Sequence, residues 1–322
     1  MRSLLWASDG RINLFWRVLL AFGGTLIIYV SIDLAVGLFL YLGLHLTYSY
    51  LINVYSLAYN TDLRVVISYT CGYVLIAAGT VWWLRWFRRK VDRRSSAGLA
   101  WTGLSGHGRS ILLGILLGVS VPLLALATGS ASGLFTLHVA RLSWEGLVIA
   151  MIFNVLQYTA TGIREEVSNR GYVFQNLGEC MPLWLTVVGV GAFFVSGHLL
   201  NGLSYVTPSF IVVNLLLSTI WIYGRLLTGS LWFSISMHAA LDACSFLIGI
   251  LLFSGEADLN TIASRLLWLE IPFVALILLV LVVWTLWRKQ PINWKARLTE
   301  HGEQTNQIQS FSEERVVADT AR

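Results

Sequence analysis

TGIREEVSNRG, residues 161–171, sets two adjacent glutamates, Glu165 and Glu166, and the arginine Arg170 inside a chain otherwise composed for lipid. Ionisable groups at membrane depth cost about 2.5–3.5 kcal/mol each on insertion scales, so they usually face a protein-lined cavity and act there. The surroundings make that reading necessary. Of 322 residues, 56% are hydrophobic and 12% charged, with a mean hydropathy of +0.70, whereas a soluble domain carries about 25% charged residues. The composition is that of an integral membrane protein of the all-α class. The 28 glycines against 5 prolines suit tightly packed membrane helices. The 14 tryptophans include Trp82, Trp83, Trp86, Trp284 and Trp287 at the edges of apolar runs, where an interfacial belt belongs. Cys71, Cys180 and Cys244 are three and scattered, which argues against a disulfide framework or a cysteine metal site.

A bilayer is crossed by about 20 apolar helical residues. On that rule eight spans are expected, at 14–42, 64–84, 110–128, 143–178, 182–203, 208–227, 230–253 and 268–287. The first is too long for a signal-peptide core and reads as a retained helix. The net charge of +5 gathers beside apolar segments, above all at Arg85, Arg88, Arg89, Lys90, Arg93 and Arg94. Such clusters mark cytoplasmic flanks and attract anionic lipid rather than nucleic acid. Arg2 and Arg11 at one end, and Arg288, Lys289, Lys295 and Arg297 at the other, then put both termini in the cytoplasm of a multi-pass cell-membrane protein. One transmembrane domain is expected over 1–290, with a core at about 143–253 that holds Glu165, His198 and His238 and a polar, disordered tail at 291–322.

Helical spacing places Glu166 and Arg170 at i,i+4 on one face, an order that favours an ion pair. Glu165, turned about 100° away, is the freer carboxylate. The competing reading makes both glutamates interfacial charges at a helix end. Depth separates the two. Glu165 lies about 15 residues before the turn near Gly178 to Pro182 and His198 about 16 to 18 after it, so both stand roughly 20 to 27 Å from that turn on antiparallel helices. His238 lies only about 12 to 15 Å into the seventh span. For the three to meet, the hairpin of spans four and five must project beyond the lipid on the cytoplasmic side, or tilt strongly. Within HAALD, His238 and Asp242 share a face at i,i+4; within FVSGHLLN, Phe194 and His198 share another, with Asn201 nearby.

These residues resemble the CPBP intramembrane proteases, also called the ABI or CAAX-protease-like family, whose pattern is EExxxR, then FxxxH, then HxxxN or HxxxD on separate membrane helices. Glu165, Glu166 and Arg170 match the first motif, Phe194 and His198 the second, and His238 and Asp242 the third. The resemblance implies that Glu165 is the general base that activates water and that His198 is a water or metal ligand. It further implies that His238 and Asp242 stabilise the oxyanion or hold a metal, and that Glu166 and Arg170 give structural support. Asparagine at the last position would donate to an oxyanion, which an ionised Asp242 cannot do. Asp242 is then protonated through burial, orients His238, or helps bind a divalent metal. Glu165, His198, His238 and Asp242 form a nitrogen and oxygen set suited to Zn²⁺ with a position open for water. A metal-free glutamate mechanism and a zinc mechanism both fit, and the aspartate tips the balance slightly to zinc.

The function expected is an intramembrane endopeptidase, with a glutamate-activated water that is zinc-bound or metal-free, acting on a membrane-associated peptide or protein, with the bilayer as its other partner. A non-catalytic scaffold or immunity-type protein of the same fold is the alternative, against which the burial of so many ionisable groups counts. A proton or metal-ion transporter ranks last, because the two-halved symmetry such a protein would show is not evident.

Overall fold

The computed structural model describes residues 5–7, 9–45, 62–134, 143–203, 206–252 and 259–287. Among them there is no β-strand, and the helices follow the apolar runs. We number them α1 (Leu14–Leu38), α2 (Leu63–Lys90), α3 (Gly108–Ala131), α4 (Trp144–Glu166), α5 (Phe174–Gly178), α6 (Leu183–Gly197), α7 (Pro208–Thr228), α8 (Trp232–Leu252) and α9 (Leu259–Trp287). A π-helical segment, Val167–Val173, joins α4 to α5, so that Trp144–Gly178 forms one span. Among the described residues seven helices are long and apolar enough to cross a membrane, and α6 is a shorter apolar one. The chain is thus an all-α polytopic membrane protein.

The starts and stops have local causes. Ser143 accepts a hydrogen bond from Gly146 N at the head of α4, and Thr207 accepts one from Phe210 N at the head of α7, where Pro208 takes the first turn. Gly229, at φ 68°, closes α7 in the left-handed conformation that favours glycine.

Three boundaries differ from the sequence expectation, the first being the end of α2, which runs to Lys90 and not to 84. The fifth span, expected over 182–203, is α-helical for only 15 residues and then tightens into a 3₁₀ turn, His198–Asn201. The last helix begins at Leu259 rather than near 268, because the polar residues ahead of its apolar stretch continue the helix. The expected tail at 291–322 lies outside the described residues.

One end of the bundle is pinned by charges. Arg11, ahead of α1, and Arg88, in the last turn of α2, reach Glu179 beyond α5 at 3.0 and 3.5 Å. Arg17 donates to Asn176 at 2.9 Å, and the Tyr172 hydroxyl donates to Asp92, whose carboxyl burial pushes above its ordinary range. Arg225, near the end of α7, donates to Gly98 O and Gln175 Oε1, and Leu231 N, ahead of α8, donates to Ala100 O. The starts of α1 and α8 and the ends of α2, α5 and α7 therefore gather at the same end. Consecutive spans, with α4 and α5 counted as one, alternate in direction, α6 included, although at about 1.5 Å per residue it measures only some 22 Å.

The same contacts remove the depth conflict posed by the sequence. Arg225 Nη1 lies 3.4 Å from Gly171 O, and a Cβ on Gly171 would meet Leu231 Cδ1 at 3.6 Å. Gly171 is therefore level with the start of α8, and the turns from Gly171 to Gly178 project past it. This is the projection needed for Glu165 and His238 to stand at one height.

The tightest packing sets α3 against α8. A Cβ on Gly114 would come within 2.6 Å of Phe233 O, and one on Gly118 within 2.4 Å of Met237 O. Glycine at this four-residue spacing lets the backbones touch, a common device where helix association depends on van der Waals contact. It fixes the height of α8, and with it His238.

Candidate active site

The first motif sits where the α-helix loosens into π geometry. In the π segment Phe174 N bonds to Asn169 O, a five-residue step, and the side-chain amide of Asn169 donates to Glu165 O at 2.8 Å. The carbonyl that a register change would leave unmatched is thus satisfied. Single π turns inside α-helices occur often at functional sites. Here the turn presents Glu165 and Glu166 to two different neighbours.

Glu166 and Arg170 are both fully buried, and Arg170 Nη1 donates to Glu166 Oε1 at 3.0 Å, the pair that spacing predicts. The same carboxylate oxygen lies 2.9 Å from His238 Nδ1. Glu166 therefore also orients the imidazole. Arg170 in turn spreads its guanidinium over the rings of Phe194, at 4.4 Å, and Trp221, at 4.5 Å, contacts worth up to about 2 kcal/mol each when desolvated. Trp221, on α7, stacks on the imidazole of His238 with centroids 4.5 Å apart and planes 13° from parallel.

The other nitrogen of His238 faces the open side. Nε2 lies 3.3 Å from Asp242 Oδ2 and 3.6 Å from Glu165 Oε2. Side-chain exposure rises from 0% at Glu166 through 16% at Glu165 to 30% at Asp242, so the mouth of the site lies on the Glu165–Asp242 side. Of the three roles open to Asp242, the orienting contact to His238 is the one the geometry carries. Glu165 Oε1 pairs with Arg164, while Glu165 keeps the more exposed side chain of the two glutamates.

His198 caps α6, where its Nδ1 meets Phe194 O at 3.0 Å. A carbonyl only accepts, so Nδ1 carries the proton and Nε2 is left as the acceptor nitrogen. Its ring packs against Phe194 and Phe210, with Phe194 lying between it and His238. The three motifs do converge, as a shell of rings around carboxylates. Phe194 is part of that shell.

The four side chains expected to hold zinc do not gather as a ligand set. Among the described residues no group of three or more His, Cys, Asp or Glu side chains is arranged for a metal ion. Glu166 takes one nitrogen of His238, Glu165 and Asp242 flank the other, and His198 turns its Nδ1 back onto its own helix.

Comparison with protein families gives one match. Residues 147–244 match the family described as Type II CAAX prenyl endopeptidase Rce1-like. The likeness covers less than a third of the chain. It runs from α4 into α8, contains every motif residue of the site and agrees with the CPBP resemblance. Neither the curated proteins nor the solved structures give a match.

Three contributors to the site escape the sequence reading. Arg164 was visible as a third consecutive charge in the REE run. Asn169 had no signal, because its role depends on the π register. Trp221 is one of 14 tryptophans in an apolar run and carries no mark of its partner.

Proposed function

We propose that the protein is an intramembrane endopeptidase in which Glu165 is the general base and His238 the electrophile. The supporting observation is that His238 Nε2 stands 3.6 Å from Glu165 Oε2. That is long for a direct hydrogen bond but leaves an apex where one water can touch both. Glu165 takes a proton from that water as its oxygen bonds to the scissile carbonyl carbon. The N–H at His238 Nε2 donates to the oxygen that becomes negative, as a preorganised donor in a water-poor site. The carbon–nitrogen bond then breaks, and protonated Glu165 delivers its proton to the leaving amine.

The remaining residues position these two. Glu166 holds Nδ1 of His238, so that the opposite nitrogen points to the mouth. Arg170 neutralises Glu166, and Trp221 fixes the plane of the ring. His198, with Nε2 as acceptor, holds a substrate N–H or the water. The substrate is a membrane-associated peptide or protein approaching on the Asp242 side, and both termini of the enzyme face the cytoplasm, on the flank where the basic residues gather.

Cleavage of a membrane-tethered reporter tests this reading. Glu165→Gln removes the base while keeping shape, and is expected to abolish cleavage with normal accumulation in the membrane. Persistent cleavage would displace Glu165 from the role, and its loss in Glu165→Gln alone would tell an enzyme from a scaffold.

A further inference from the structure

A second cavity, of about 820 Å³, lies on the flank of α4 turned to α2, and no motif residue lines it. Its α2 wall carries Val74, Ala78, Val81 and Trp82, then Arg85, Trp86, Arg89 and Lys90. Its α4 wall carries Leu156, Ala160 and Ile163. From Val74 to Lys90 is 16 residues, or about 24 Å of helix at about 1.5 Å per residue. The hydrocarbon core is about 30 Å thick, or some 15 Å per leaflet, with a polar layer of a few ångströms outside it. The groove thus has the length of one lipid of one leaflet.

Chemistry changes along that length as it does along a phospholipid. The inner half is lined by aliphatic side chains and by Thr159, whose hydroxyl donates to Val155 O within its own helix. Next come Trp82, Trp86 and Trp101, of which Trp82 is 64% exposed, in the amphipathic type that favours the headgroup boundary. At the outer end stand three cations, Arg85, Arg89 and Lys90, and no acidic side chain lines the cavity. Charge complementarity therefore selects an anion at the mouth and an alkyl chain within.

We propose that this groove binds one anionic phospholipid, its chain between α2 and α4 and its phosphate on Arg85, Arg89 and Lys90. Basic pockets between helices on the cytoplasmic side are suited to anionic headgroups. The bound chain lies against Ile163, the residue before Arg164, and so buttresses the helix that presents Glu165. The inference stands whether or not the site hydrolyses peptides.

The full-length protein, purified and exchanged into nanodiscs of phosphatidylcholine with a minority of phosphatidylglycerol of the same chains, supplies the test. Native mass spectrometry of the released protein is expected to show one retained phosphatidylglycerol, enriched about tenfold or more over its share of the bilayer. Two variants should lose it while keeping the elution profile and unfolding temperature of the wild type: Arg85→Gln/Arg89→Gln/Lys90→Gln, which removes the mouth, and Ala78→Phe, which fills the chain slot without touching a charge. Arg93→Gln/Arg94→Gln, on the same basic flank but outside the groove, should retain it. Equal retention of the two lipids, undiminished retention in Ala78→Phe, or equal loss in the Arg93/Arg94 control would overturn the proposal, the last by showing a diffuse basic belt in place of a site.

Discussion

The indole of Trp221 lies parallel to the imidazole of His238, 4.5 Å away, while the guanidinium of Arg170 lies over the same indole at 4.5 Å. One aromatic plate thus joins the arginine of the first motif to the histidine of the third. Trp221→Phe keeps a ring in place and is expected to retain most cleavage. Trp221→Ala leaves a cavity and two ring contacts unmade, costing about 3–5 kcal/mol. A reduced unfolding temperature together with a large loss of turnover checks this; full activity in the alanine variant would show that His238 is oriented without the plate.

Glu166 meets Arg170 and His238 through a single oxygen. Arg170→Ala leaves that carboxylate buried without its cation, a loss of about 3–5 kcal/mol, and the expected readout is poor accumulation in the membrane. Glu166→Gln keeps volume and a hydrogen-bonding oxygen for His238, so accumulation should fall less than in Arg170→Ala while turnover falls more than accumulation does. Equal effects on both readouts would make Glu166 a purely structural residue.

Much of this site was legible because its parts lie at helical spacing. Glu166–Arg170 and His238–Asp242 are i,i+4 pairs, and both meet as the period predicts. Phe194 and His198 likewise share a face, with rings in edge contact. What could not be read is whatever depends on tertiary register. The π segment shifts the helix after Glu166 without any change in composition, and the Arg164–Glu165 pair is made between neighbours in sequence, whose side chains helical periodicity would point apart. The fold was readable for a similar reason, since apolar length alone locates spans. The short α6 was overestimated because its apolar run continues through Leu199 and Leu200, although the helix geometry changes at His198.

Asp242 touches His238 Nε2 at 3.3 Å and has the most exposed side chain of the set. Asp242→Asn keeps an oxygen for that contact and adds a neutral donor, so activity should stay within about tenfold of wild type, the difference of roughly 1 kcal/mol expected between charged and neutral hydrogen bonds. Asp242→Leu removes the contact and should be far less active at similar abundance. Indistinguishable turnover in the two variants would detach Asp242 from His238.

Gly118 brings α3 against the backbone of α8 beside Met237, the residue before His238. A methyl group there would lie 2.4 Å from Met237 O and 3.0 Å from Leu241 N, both backbone atoms that no side-chain rotation can clear. Gly118→Val must therefore push α8 away, at a cost of about 1–3 kcal/mol or more for overpacking. Because α8 carries His238 and Asp242 whereas Glu165 stays on α4, the displacement should act on geometry before it acts on folding. The expected phenotype is a folded, membrane-inserted protein whose turnover falls much more than its unfolding temperature. Gly249→Val, on the same helix as His238 with no neighbour within 4 Å of its would-be Cβ, is the matched control and should leave cleavage unchanged. If Gly118→Val cleaves as well as that control, the spacing between α3 and α8 does not set the position of His238.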